Sequence, residues 1–168
     1  MIFISSDTNV WIDFDVLGRL DLPFKLTYTY LMTEITIEEE LLSPGLKDTL
    51  ISLGLQKTEL SPEEFALALD YGRKYLQLSF HDRIALSVAK LRTIPLLTGD
   101  GALRKAATKE GVELMGTLKI LDELHQTEII QADEYENLLK RLEAGNGKKV
   151  RLPKEEIEKR LNHLKQQK

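Results

Sequence analysis

The hydrophobic pattern of the first fourteen residues, MIFISSDTNVWIDF, sets the frame for the rest. Ile2, Phe3 and Ile4 form a nearly continuous apolar run, the pattern of a strand buried on both faces. Ser5, Ser6, Asp7, Thr8 and Asn9 then supply turn and helix-cap chemistry, and Val10, Trp11, Ile12 and Phe14 follow as a helix. Asp7 is thereby placed at the carboxyl end of a buried strand, the edge at which open α/β sheets bind ligands. Gly18 ends the helix, and residues 20–24 read as a loop or short turn. LTYTYL, residues 26–31, alternates apolar and hydroxyl side chains and reads as a second strand. Thr33 can cap a short helix over 34–42, stopped by Ser43-Pro44-Gly45. A further helix over 46–53 ends at Gly54, and 56–60 is extended.

Ser61-Pro62-Glu63-Glu64 combines a cap, a proline at the first helical position and a glutamate at the third, a strong helix start. That helix runs through Phe65, Leu69 and Tyr75. LSFHDRIALSVAKL, residues 78–91, opens another with Ser79 as its cap. TIPLLT, residues 93–98, reads as a buried strand, and Gly99-Asp100-Gly101 turns it into a helix over 102–109. Gly111 breaks that helix, and 112–115 form a last short strand. Helices follow from Gly116-Thr117 to about 126, over 132–144 and over 153–164, with Gly145-Asn146-Gly147 as a flexible break. Strands alternate with helices at spacings that suit parallel crossovers. The expected class is α/β, a three-layer α/β/α fold with a mainly parallel central sheet. The break divides the chain into a main domain, 1–145, and a C-terminal helical extension, 146–168.

Composition changes this picture in two ways. The chain has no cysteine, which removes disulfides, thiolate metal sites and cysteine nucleophiles and fits a reducing cytoplasm. The net charge of −4 hides an asymmetry: residues 140–168 hold ten basic and four acidic side chains, against 13 basic and 23 acidic in residues 1–139. A basic tail on an acidic body is either a nucleic-acid contact or a solvated helix face. No apolar run reaches the roughly 20 residues that span a bilayer, and the N-terminus lacks the basic and apolar regions of a signal peptide, so no membrane contact is expected.

Four acids stand out by position. Asp7 and Asp100 both follow strands, and parallel central strands would bring their carboxyl ends to one edge. Asp82 lies in the first turn of its helix and shares a face with Ala85 and Ala89. A fourth comes from Glu38-Glu39-Glu40: with Ile37 and Leu41 facing inward, Glu39 points away, while Glu38 and Glu40 flank that face equally. Taken singly, each has an ordinary role as helix cap, turn residue or solvated charge. Taken together, clustered carboxylates require a compensating cation. Mg²⁺ or Mn²⁺, which take hard oxygen ligands, would then activate water and offset charge on a phosphoryl oxygen.

These residues carry a family resemblance. SDTNVWIDF resembles the opening motif of PIN domains, with Asp7 as first acid. ITIEEELL resembles the family's glutamate helix and selects Glu40, the residue before Leu41. LSFHDRIALSVAKL resembles the third-acid helix, giving Asp82, and IPLLTGDGALRKAA resembles the strand and turn that give Asp100. GVELMGTLKILDEL and RLPKEEIEKRL resemble the closing segments of one bacterial and archaeal subfamily. The resemblance covers most of residues 2–125 and implies a cytoplasmic Mg²⁺- or Mn²⁺-dependent endoribonuclease, the toxin of a type II toxin–antitoxin pair. Asp7, Glu40, Asp82 and Asp100 would be catalytic and metal-binding, with Thr8, Asn9 and Thr98 supporting them. It further implies an RNA substrate, a cognate antitoxin and a homodimer, for which Leu50, Leu53 and Leu55 offer apolar surface. The alternative function is a catalytically weak nucleic-acid-binding or regulatory module of the same fold. A haloacid-dehalogenase-type phosphatase also opens with a strand-end Asp, but wants a second Asp where Asn9 stands. His81 could ligate metal or shuttle a proton but reads more simply as a first-turn histidine that does neither, the tyrosines read more simply as packing residues, and Arg83, Arg104 and Lys105 lie beside the acids where they could meet substrate phosphates.

Overall fold

In the computed structural model, which describes residues 1–168, five strands form one sheet: β1 (Ile2–Ser6), β2 (Tyr28–Thr33), β3 (Gln56–Thr58), β4 (Leu96–Leu97) and β5 (Leu114–Met115). Every neighbouring pair is parallel, in the order β3-β2-β1-β4-β5. The chain therefore leaves β1 toward one side of the sheet and returns on the other. Between β1 and β4 the strand order reverses, which opens a crevice outside their carboxyl ends. Asp7 follows the first of these strands and Asp100 the second.

Helices cover both faces. On one lie α1 (Asn9–Val16), α7 (Thr117–Gln126), α8 (Ala132–Gly145) and α9 (Lys154–Gln166); on the other lie α4 (Pro62–Lys74), α5 (Phe80–Arg92) and α6 (Gly101–Lys109). The two short helices α2 (Glu34–Glu40) and α3 (Pro44–Leu53) connect β2 to β3. The period-two alternation of a strand divides the cores. Leu97 joins a cluster of 27 buried residues that includes Trp11, Leu121 and Leu139, whereas Leu96 joins a cluster of ten with Tyr71, Leu86 and Leu103. Trp11 stacks on Phe24 at 5.3 Å and meets Tyr30 edge-on at 5.2 Å, closing the core beneath β1.

Several expectations are corrected by tertiary context. Ile2 and Phe3 are exposed, and the buried end of β1 is Ile4-Ser5-Ser6. Serine tolerates that burial because Ser5 Oγ donates to the Ala85 carbonyl of α5 at 2.8 Å. The strand expected over 93–98 shrinks to Leu96–Leu97: Thr93 closes α5 in a left-handed conformation, and Pro95 has no N–H to give the ladder. Pro44 opens α3 rather than ending α2, as a first-turn position lets it. The segment Gly145-Asn146-Gly147 is hydrogen-bonded to the chain that follows it. Asn146 holds the Leu152 carbonyl at 2.8 Å and the Leu152 N–H at 3.0 Å with its side chain. Val150, Ile157, Leu161 and Leu164 then bury in the same core as Trp11, so packing is continuous on both sides of residue 145. Leu50 and Leu55 are core residues and offer no surface to a partner, and Leu53 is half-buried. No helix is long and apolar enough to cross a membrane.

Candidate active site

Asp7 is only 6% exposed, and both of its oxygens are held. Oδ1 accepts from the Thr8 N–H at 2.8 Å, and Oδ2 accepts from the Thr98 hydroxyl at 2.8 Å. Thr98 Oγ1 in turn accepts from the Asp100 N–H at 3.1 Å, and Asn9 Oδ1 accepts from the Gly99 N–H at 3.1 Å. The loops after β1 and β4 are thus tied together by side chains at the switch point. Burial first, then the negative charge of Asp82 and, more weakly, of Glu40, push the Asp7 carboxyl up to about 7, against the bonds from Thr98 and Thr8.

Glu40 ends α2 and is half-buried. Its Oε1 is buried without a hydrogen-bond partner, as is the Thr8 hydroxyl; His81 Nδ1 stands 3.9 Å from that carboxylate oxygen. Burial raises the Glu40 carboxyl, partly offset by His81. Glu38 has a different fate. It is exposed and paired with Lys47 Nζ at 2.6 Å, which holds its carboxyl below the usual range. Glu39 receives His81 Nε2 at 2.8 Å. Of the three glutamates, it is Glu40 whose charge is felt at Asp7 and which feels the charge of Asp82.

Asp82 is half-buried at the third position of α5 and completes a capping box with Ser79. Its Oδ2 accepts from the Ser79 N–H at 2.9 Å, while its own N–H donates to Ser79 Oγ at 3.1 Å. Burial raises its carboxyl, and the charge of Asp100 adds to the effect. Asp100 caps α6, accepting from the Leu103 N–H at 2.8 Å. Asp82 and Asp100 each commit one oxygen to a helix N-terminus and leave the other without a partner. Charge couples Asp7 to Asp82 and Glu40, and Asp82 to Asp100, but no three acidic or histidine side chains stand close enough to share one ion in this arrangement. The donor chemistry nonetheless suits a hard divalent cation. It is all oxygen, mutually repelling and partly desolvated, and the Thr8 hydroxyl lies against the Glu40 carboxylate, where neither Thr8 Oγ1 nor Glu40 Oε1 has a hydrogen bond of good geometry.

A family model described as DUF3368, a PIN domain, matches residues 3–166. The chain belongs to the PIN-domain family. Among solved structures, this PIN domain is similar to a PilT N-terminus domain protein from the hyperthermophilic archaeon Sulfolobus solfataricus P2. The identity is 18% and the TM-score 0.51, over 73% of this chain and 92% of that one, a likeness of fold. VapBC2 from Rickettsia felis, bound to a DNA fragment from its promoter, matches at 16% identity and a TM-score of 0.48, over 69% of this chain and 98% of that one. No curated protein matches the sequence.

Two residues of this PIN domain gain importance from the structure. Arg104 Nη1 donates to the Thr98 carbonyl at 2.9 Å, so it braces the residue that holds Asp7. Gly116 leaves it room, since a Cβ there would sit 3.2 Å from that nitrogen. Asp13 is a second buried acid, 6% exposed on α1, whose Oδ2 accepts from the Thr117 hydroxyl at 2.6 Å. Burial pushes its carboxyl up to about 6. Its sequence signal is an acid set between Ile12 and Phe14 on a core helix. Arg83, by contrast, is drawn onto α4, where its guanidinium occupies the space left by Gly72. The tyrosines are engaged elsewhere: Tyr30 donates to the Pro23 carbonyl, Tyr28 to Glu123, and Tyr71 and Tyr75 to Glu110.

Proposed function

We propose that this protein is a metal-dependent endoribonuclease and the cytoplasmic toxin of a type II toxin–antitoxin pair. The observation that carries the reading is the meeting of Asp7 and Asp100 at the switch point, joined through one Thr98 hydroxyl, with the unpartnered Glu40 Oε1 alongside. Asp7, Glu40, Asp82 and Asp100 would hold Mg²⁺ or Mn²⁺. The chemistry supplied by such an ion, when bound, is activation of water and neutralisation of charge on a phosphoryl oxygen. The chain's own groups prepare the site. The Thr8 N–H and the Thr98 hydroxyl fix the Asp7 carboxylate in one orientation. Asn9 holds the β4 loop against the β1 loop, and burial of Asp7 keeps bulk water from it. Single-stranded or looped RNA is the substrate class, because a strand free of a duplex can bend its backbone into a recessed acidic crevice. The toxin reading brings two further partners, an antitoxin encoded beside this chain and a second copy of the chain.

The test is incubation of purified protein with mixed single-stranded RNA in EDTA, Mg²⁺ or Mn²⁺, beside Asp7→Asn. Metal-dependent cutting that disappears in a folded Asp7→Asn supports the reading. Equal cutting by the two proteins, or none by wild type, overturns it. A second reading, a PIN-fold nucleic-acid-binding or regulatory module with weak catalysis, is favoured by one observation: Asp82 and Asp100 each already cap a helix. RNA binding without cleavage is its signature.

A further inference from the structure

Beside the acids, and opposite to them in charge, lies a cleft of about 570 Å³ between the first turns of α6 and α7 and the segment that leads into α9. That volume lies within the range of small-ligand sites. Gly99 and Gly101, which flank Asp100, form one rim. Arg104 lies in the cleft wall and, through the Thr98 carbonyl, is one residue's breadth from the group that holds Asp7. Four cationic side chains line the cleft, Arg104, Lys119, Arg151 and Arg160, with Glu156 as the one acid.

These charges divide by what they already hold. Arg160 is framework, with hydrogen bonds to both Asp122 oxygens and to Glu156, so its single positive charge is already shared between two carboxylates. Arg151 is exposed and has neither a hydrogen bond nor an ion pair. Lys119 has a single long pair to Glu113 at 3.6 Å. Arg104 gives one nitrogen to Thr98. Three cations are therefore free, wholly or in part, to meet an anion. The first turn of α7 adds to them. Gly116 caps it without a side-chain bond, so its N–H groups are left for a ligand where the helix dipole is positive. Leu118, Leu152 and Pro153 give the cleft an apolar wall.

We infer that this cleft is a subsite for a backbone phosphate of the RNA strand, next to the phosphate presented to the acids. Arg104, Lys119 and Arg151 are the phosphate contacts, and the apolar wall faces the adjoining nucleoside. The inference rests on the nuclease reading for its substrate class. It also gives a role to part of the basic C-terminal segment, which delivers Arg151 to the edge of the acidic crevice.

The test is binding of a short fluorescent single-stranded RNA in EDTA, where no metal-dependent cutting occurs, followed by anisotropy across a salt series. The variant Lys119→Ala/Arg151→Ala is compared with Lys148→Ala/Lys149→Ala, which removes equal charge from exposed positions outside the cleft. Neither pair holds a core contact, and a melting curve for each checks the fold. The expected result is a fall in affinity of about tenfold or more for the cleft pair, with a salt slope shallower by about 0.7 for each phosphate no longer neutralised. The control pair should weaken much less. Equal weakening in the two pairs would mean bulk attraction and overturn the subsite. So would unchanged binding in the cleft pair, the result expected if an acidic segment of a protein partner occupies the cleft, and so would absence of RNA binding by wild type. The nuclease reading fails separately: a wild type that binds RNA through this cleft but cuts none in Mn²⁺ keeps the subsite and loses the catalysis.

Discussion

Thr98 links the two halves of the acidic site at the cost of one buried hydroxyl. It donates to Asp7 Oδ2 and accepts from the Asp100 N–H, and it is fully buried. Thr98→Val keeps the shape and removes both bonds. Because it leaves a buried carboxylate oxygen and a backbone N–H unpaired, it should cost about 1–3 kcal/mol in urea unfolding, and Thr98→Ser should recover most of that. Equal stability of Val and wild type would remove the hydroxyl from the account. Asp13 allows a different kind of test. Its carboxyl is raised from about 3.9 in an unfolded chain to about 6 in the fold, so the neutral form is the one the fold favours. The stability this gives is fully present below about pH 4 and is lost as pH rises through 6, an effect of roughly 2–3 kcal/mol. Asparagine can accept the same bond from Thr117 and does not titrate. The melting temperature of Asp13→Asn, relative to wild type, should therefore rise between pH 4.5 and pH 7 (values within the window of about 4 to 7 set by the shift). Parallel pH profiles would contradict this. At this scale the sequence was partly legible. Asp7 and Asp100 follow apolar runs and could be placed at strand ends, but Glu38 and Glu40 flank one helix face equally. What separates them is Lys47, which lies on α3 and captures Glu38, an ion pair that no local pattern encodes.

Elements were most legible where local chemistry decides them. The two capping boxes, Ser61 with Glu64 and Ser79 with Asp82, form as their spacing requires. The short strands were less so, because their ends depend on pairing across the sheet: β4 stops at Leu97 and begins only after Pro95. The C-terminal segment was hardest, since glycines and charge suggest a loose extension while its apolar residues lie one helical turn apart. We propose that α9 is integral to the domain core. Ile157→Ala, at a fully buried position, should cost about 2–5 kcal/mol in chemical unfolding, and a chain ending at residue 145 should melt far lower or fail to fold. A truncated chain that melts as the full one does would sink that assignment.

Across the whole molecule, parallel topology brings residues distant in sequence to one crevice, and charge divides that crevice into two fields. Asp7 and Asp100 come together because β1 and β4 are neighbours, Glu40 because α2 follows β2, and Asp82 because α5 packs on β1. The adjoining cleft is basic because α6, α7 and the approach to α9 meet there. The acids could be anticipated from strand order, which alternating strands and helices suggest. The cleft could not, since it depends on Arg104 lying over Gly116 and on where Asn146 sends the chain. We propose that the four acids together form one site for a divalent ion. Calorimetric titration of Mn²⁺ into wild type, Asp7→Asn, Glu40→Gln and Glu38→Gln tests it most directly. Saturable binding is expected of wild type and of Glu38→Gln, binding weaker by about tenfold or more of Glu40→Gln, and none of Asp7→Asn. No saturable binding by wild type, or equal binding by Asp7→Asn, would contradict it.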